Sequence, residues 1–191
     1  PGNTGPRFRP IAGLAALSVA GNEQSFFAVR QNGALFACGA NDHYELGLGD
    51  RVFGTQFLQV PGVTSVSSVS VGYNHVVLRK TDGTVWVAGS NSKGQLGLGA
   101  AVTEAQVFTQ VPLITDATAV MAREDGTMIL RRNPSTGVTT LWASGDNSSG
   151  QLGLGAATLT ATVFTQVPAI TGVQALALPF ILRTDGAVWV T

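Results

Sequence analysis

The stretch Gly89-Ser90-Asn91-Ser92-Lys93-Gly94-Gln95-Leu96-Gly97-Leu98-Gly99 recurs as Gly145-Asp146-Asn147-Ser148-Ser149-Gly150-Gln151-Leu152-Gly153-Leu154-Gly155, and its end returns as Leu46-Gly47-Leu48-Gly49. The Leu-Gly-Leu-Gly strings begin at 46, 96 and 152, and Gln-Val-Pro follows at 59–61, 110–112 and 166–168. Two landmarks that advance almost in step define an internal repeat, and such a period fixes the architecture before any residue-level reading. A further element, Thr184-Asp185-Gly186-Ala187-Val188-Trp189-Val190, matches Thr81-Asp82-Gly83-Thr84-Val85-Trp86-Val87. The sequence therefore holds three full periods and the opening of a fourth.

Working outward from the glycine-rich string, each period carries a hairpin signal. Asn32-Gly33 and Asp82-Gly83 lie between alternating apolar runs, and both dipeptides tolerate the positive φ that tight hairpins require. The third copy opens this turn into the longer loop Arg132–Val138. Strands are expected upstream of each hairpin at Leu14–Ala20, Val66–Val71, Ala117–Ala122 and Val173–Leu178. Short extended stretches ended by proline are expected at Phe57–Pro61, Phe108–Pro112 and Phe164–Pro168. No window sustains helical spacing, so the expected fold is all-β, with no helix longer than two turns. Four strand-like segments per period of this length describe a propeller blade. The expected organisation is an N-terminal linker, 1–13, then a propeller-repeat domain, 14–191, divided near 14–65, 66–116, 117–172 and a partial 173–191.

Composition narrows the function classes. The chain has 191 residues, 11 basic and 11 acidic, with a formal net charge of zero. Nucleic acid and anionic membranes normally demand a basic excess, so neither is an expected partner. No run of about 18 apolar residues occurs, so membrane insertion is not expected. The single cysteine, Cys38, allows no intrachain disulfide and reads as a small buried strand residue. The chain begins at Pro1 rather than Met and is read as a mature or excised piece, with its compartment open.

The repeat resembles that of the regulator of chromosome condensation family. The resemblance rests on the two glycine-rich units above and on Gly72-Tyr73-Asn74-His75, followed by Val76-Val77-Leu78 and Lys80-Thr81-Asp82-Gly83. It implies a β-propeller, usually a ring of seven blades. This sequence departs from it where Cys38-Gly39, Ala88-Gly89 and Ser144-Gly145 replace a Trp-Gly pair, with tryptophan displaced to Trp86, Trp142 and Trp189. The family's histidine survives only at His75.

Catalysis is not expected. His43 and His75 are the only imidazoles, and neither belongs to a nucleophile motif. Gly-Leu-Gly is not a dinucleotide fingerprint, because no helix follows it to hold a phosphate. The glycines and leucines of the repeat, like the three tryptophans, read as packing residues. No cofactor and no metal site is expected.

What differs between copies points to function, since loops that break a period often lie on one binding face. Tyr73, Asn74 and His75 in one copy, and Arg123, Glu124 and Asp125 in the next, occupy equivalent places. They combine contact area with hydrogen bonding. They are the candidate binding residues, with the Arg132–Val138 loop as a neighbour. The expected function is a non-catalytic interaction module for a protein or glycan ligand, of the adhesin or fibre-tip kind. Low lysine and abundant Thr, Gly and Val fit an extracellular or cell-surface setting. The family resemblance implies two alternatives, a guanine-nucleotide exchange factor-like regulator and a secreted enzyme inhibitor. Three and a half periods leave two terminal faces uncovered, so homo-oligomerisation is expected to complete the ring. A four-blade closure or additional sequence would do the same.

Overall fold

In a computed structural model, residues 10–177 and 179–190 are described. Most of the expected N-terminal linker, Leu178 and Thr191 lie outside them. Fifteen strands form four antiparallel sheets. The first sheet is β1 (Ser18–Gly21), β2 (Ser25–Val29), β3 (Leu35–Gly39) and β4 (Gly54–Gln59). The second is β5 (Val66–Val71), β6 (His75–Lys80), β7 (Val85–Ser90) and β8 (Glu104–Gln110). The third is β9 (Ala117–Arg123), β10 (Gly126–Arg132), β11 (Thr139–Asp146) and β12 (Thr160–Thr171). The last holds β13 (Val173–Ala177), β14 (Phe180–Arg183) and β15 (Val188–Val190). In each sheet the strands pair in chain order, as they must when each connection is a hairpin. The result is a partial propeller.

The core lies between blades. One apolar cluster joins Phe27, Leu35 and Leu46 of the first blade to Val76, Leu78 and Phe108 of the second. A second joins Val77, Val87 and Leu96 to Ala122 and Ile129 of the third. A third joins Met128, Leu141 and Leu152 to Val173 and Ile181 of the last. A middle strand is therefore covered on both faces, which is why β6 and β10 read as nearly continuous apolar runs rather than alternating ones.

The glycine-rich strings are the clasps between blades. Leu48 bridges Val107 and Leu98 bridges Val163, so the first two strings pair with the outer strand of the next blade. Gly49 N donates to Gln106 O at 3.0 Å, and Gly99 N donates to Thr162 O at 2.8 Å. Gly47 and Gly97 have positive φ, and a methyl on either would run into the ring of Phe108 or Phe164. The leading asparagine of each string closes it. Asn91 Oδ1 accepts from Leu96 N at 2.8 Å while its Nδ2 donates to Val102 O at 2.6 Å; Asn147 does the same with Leu152 and Thr158. Asn41 repeats the clip with Leu46 and Asp50.

Several local expectations need correction. The outer strands begin earlier than their apolar residues suggested, because β7 and β11 bulge and then resume pairing, as at Gly89 with Ala105 and Gly145 with Ala161. Pro168 does not end its strand. Ala169 takes a left-handed φ of 60°, and β12 runs on to pair Thr171 with Thr140. Cys38 is half-buried rather than buried, and partial burial raises its thiol pKa above the ordinary value. In the string that reads Asn41-Asp42-His43-Tyr44-Glu45, Tyr44 keeps the repeat's backbone path with a φ of 61°, where Gly94 and Gly150 stand in the other copies.

Candidate functional site

One face of the arc is built by the turns that join the first two strands of each blade. Residues 22–24 join β1 to β2, 72–74 join β5 to β6, and Glu124 and Asp125 join β9 to β10. These turns are stitched edge to edge. Asn22 Nδ2 donates to Gly72 O at 2.6 Å and to Tyr73 O at 3.2 Å, and Tyr73 N donates to Glu124 O at 2.9 Å. Asn22 is itself held, because its Oδ1 accepts from Gln24 N and Ser25 N, both at 2.8 Å. One side-chain amide and one backbone N–H thus tie the three turns together, and each satisfies a backbone carbonyl of a neighbouring blade.

The structure thus brings Tyr73 and Asn74 beside Arg123, Glu124 and Asp125. Tyr73 is 58% exposed; Arg123 and Glu124 are exposed, and Asn74 and Asp125 are half-buried. Arg123 Nε lies 3.4 Å from Glu124 Oε1, a solvent-exposed pair that contributes little to stability. Burial raises the Asp125 carboxyl above its ordinary pKa, and the negative charges of Asp146 and Glu124 act in the same direction against Lys93.

His75 does not belong to this surface. It opens β6 and is fully buried between the second and third blades. Its Nε2 lies 2.8 Å from Thr127 Oγ1, and that hydroxyl donates to Gln95 O at 2.7 Å. The hydroxyl has one proton, already given to Gln95, so Nε2 carries a hydrogen and donates it to Oγ1. Burial pushes its pKa down to about 4. The Arg132–Val138 loop is also elsewhere. It leaves the far end of β10, about 20 Å along a strand of this length, and lies with Thr81–Gly83 at the opposite face.

The tryptophans pack in register under cations. Lys80 sits 3.8 Å from the Trp86 ring centre, Arg131 4.8 Å from Trp142 and Arg183 5.3 Å from Trp189, while Arg30 sits 4.4 Å from Phe36 in the first blade. Trp86 Nε1 donates to Thr84 Oγ1 at 3.0 Å and Trp142 Nε1 to Thr140 Oγ1 at 3.1 Å. Among the described residues there is no group of three or more His, Cys, Asp or Glu placed to hold a metal ion, and no helix long and apolar enough to cross a membrane. Missed at the sequence level were Asn22, whose side chain ties two blades together, and a small pocket beside Asp125 where the third blade meets the fourth. The loss of the histidine at the third copy was the one available signal for the pocket.

Antiparallel sheets, three of four strands and one of three, stacked around an arc and clasped by glycine-rich strings, define a β-propeller repeat protein. Its repeats are of the regulator of chromosome condensation (RCC1) type: that family matches residues 32–78 and 66–95. The chain is 30% identical over 128 residues to the X-linked retinitis pigmentosa GTPase regulator of Mus musculus, a match covering 66% of this chain and 12% of that protein. It is 33% identical over 132 residues to the secretion-regulating guanine nucleotide exchange factor of Bos taurus, covering 66% of this chain and 27% of the relative. Among solved structures it is similar to Prp20p from Saccharomyces cerevisiae, with a TM-score of 0.79, 15% identity, and coverage of 94% of this chain and 45% of that one. The chain therefore spans much less than two thirds of each of these proteins.

Proposed function

We propose that this propeller segment is a non-catalytic interaction module whose binding face is the row of stitched turns at 22–24, 72–74 and 123–125. The observation that carries the reading is Tyr73, a large aromatic side chain held out in solvent by a backbone bonded on both sides to neighbouring blades. A rigid exposed tyrosine flanked by an arginine is the composition of an interface anchor, because little side-chain entropy is lost when it is covered. Glu23, Asn74 and Glu124 supply hydrogen-bonding groups around it. A protein partner suits this broad, nearly continuous edge.

The test is affinity measurement on partners captured with the wild-type chain. Tyr73→Ala and Arg123→Ala are expected each to weaken binding by tenfold or more, about 1.4 kcal/mol or above. Unfolding midpoints should move by less than about 0.5 kcal/mol, as for exposed surface substitutions. Binding that survives both changes would place the interface elsewhere.

A second reading is favoured by a specific observation: the bovine relative at 33% identity is described as a guanine nucleotide exchange factor. On that reading the partner is a small GTPase and the module accelerates nucleotide release. Release of a fluorescent guanine nucleotide from a panel of small GTPases, with and without the chain, separates the two. Binding without acceleration supports the plain interaction module.

A further inference from the structure

The junction between the third and fourth blades lacks a ring that the preceding junction contains. Pairing registers make the positions equivalent: His75 faces Gly89 in the second blade, and Gly126 faces Gly145 in the third. The residue that His75 meets across the junction is Thr127, which pairs with Ser144. In the fourth blade Ile181 pairs with Trp189 as Ile129 pairs with Trp142, which puts Pro179 where Thr127 stands. Both halves of the His75–Thr127 contact are thus gone one junction later. At the first junction the same place holds Ser25, which is fully buried and donates to Ala40 O at 3.1 Å.

Among the described residues nothing refills the space. A pocket of about 210 Å³ opens there, walled by Met128, Leu152 and Pro179 and floored by Gly126. Its polar lining comes from Arg123, Glu124, Asp125, Ser149 and Gln151, of which Arg123 and Glu124 pair with each other at 3.4 Å. Gln151 is committed, because its Nε2 donates to Asp146 Oδ2 at 2.6 Å and its Oε1 accepts from Ser149 N at 2.9 Å. The Asp125 carboxylate takes no hydrogen bond from the described residues, and only burial and neighbouring charges act on it. A pocket with apolar walls and an unpaired carboxylate suits a small ring that carries an N–H.

We propose that this pocket is a binding site for an imidazole ring, with the Asp125 carboxylate as the acceptor for its N–H. The ring replaces from outside what His75 supplies internally at the junction before. It comes either from a free imidazole-class molecule or from a histidine side chain of another protein. The pocket shares residues 123–125 with the interaction face proposed above, but Tyr73 does not line it, so Tyr73→Ala tests that face and Asp125→Asn tests the pocket.

The structure also supplies the control. A Cβ on Gly126 would meet only the end of the Leu152 side chain, at 2.9 Å, and Gly126 has no positive φ. Gly126→His should therefore fold and fill the pocket with its own ring. Amide NMR shifts are followed while free imidazole is titrated into the 191-residue chain, with cyclopentanone as a ring of similar size lacking N–H. The expected result is saturable shifts centred on Gly126, Ser149, Gln151 and Leu152 for imidazole, abolished in Gly126→His and weakened at least about fivefold in Asp125→Asn. Blocked N-acetyl-histidine-amide then assigns the source: matching shifts admit a partner's histidine, and their absence restricts the site to a free small molecule. Non-saturable imidazole shifts, equal shifts with cyclopentanone, or undiminished binding in Asp125→Asn would overturn the proposal, and the Asp125→Asn arm stands even if Gly126→His does not fold.

Discussion

At the scale of single residues, His75 shows how one side chain can be conspicuous in sequence for a reason that has nothing to do with contact at the surface. It stands in a loop motif beside exposed Tyr73, yet the strand begins at it and turns it inward. Its pKa falls from 6.5 to about 4 on burial, offset only in part by the Gly126 backbone. The folded state therefore requires the neutral ring. Stability from this group is fully present above pH 6.5 and is lost as pH falls towards 4, by up to about 3 kcal/mol. Urea midpoints measured at pH 7.5 and 4.5 for wild type and His75→Gln check this. The carboxylates titrate in both proteins, so the difference between them isolates the histidine. Equal pH dependence in the two would refute the assignment. Asn91 and Asn147 make the opposite case: polar side chains buried for structure alone, each satisfied by three backbone partners.

At the scale of elements, the glycine-rich string was legible as a tight loop but not as a clasp. Gly97 and Gly99 look interchangeable in sequence. In space, a methyl at Gly97 drives into the Phe164 ring of the next blade, whereas a methyl at Gly99 meets nothing within 4 Å. Both have positive φ. Gly99→Ala should thus carry only the backbone term, about 1 kcal/mol, and Gly97→Ala a steric term as well, for about 2–4 kcal/mol in all. Chemical denaturation of the two variants measures the gap, and equal losses would mean that Phe164 moves aside freely. The central strands were legible, because apolar runs beside Asn-Gly or Asp-Gly turns have few alternatives. The outer strands were not. Their first residues, such as Glu104 and Thr160, are polar and become strand only because a bulged neighbour offers them hydrogen bonds.

At the scale of the whole molecule, the arc has two open ends among the described residues. The last sheet has three strands, and its edge strand β15 exposes Val188, Trp189 and Val190. The first sheet exposes Leu17 just before β1, Val19 within it, and Val52, Phe53 and Leu58 around β4. Open strand edges pair and apolar patches find cover. The expected behaviour of the isolated 191-residue chain is self-association through these ends, which closed point-group symmetry would favour. Light scattering across the micromolar range reads it directly; a monomeric mass at the highest concentration would eliminate it.

The sequence by itself determined the repeat, the all-β class and the blade type, because packing between blades imposes the same small set of residues every 50 to 56 positions. It also placed Tyr73 and Arg123 in equivalent turns, since equal register in adjacent blades sends loops to the same face. Only the tertiary structure decided that His75 faces inward, that the Arg132–Val138 loop lies at the other end of its strand, and that Gly126 and Pro179 leave a pocket between them. Each of these depends on which residues of the neighbouring blade stand opposite. A repeat reveals what a position shares with its copies, whereas a junction is made by two positions in different copies, and their meeting is fixed only when the blades stack.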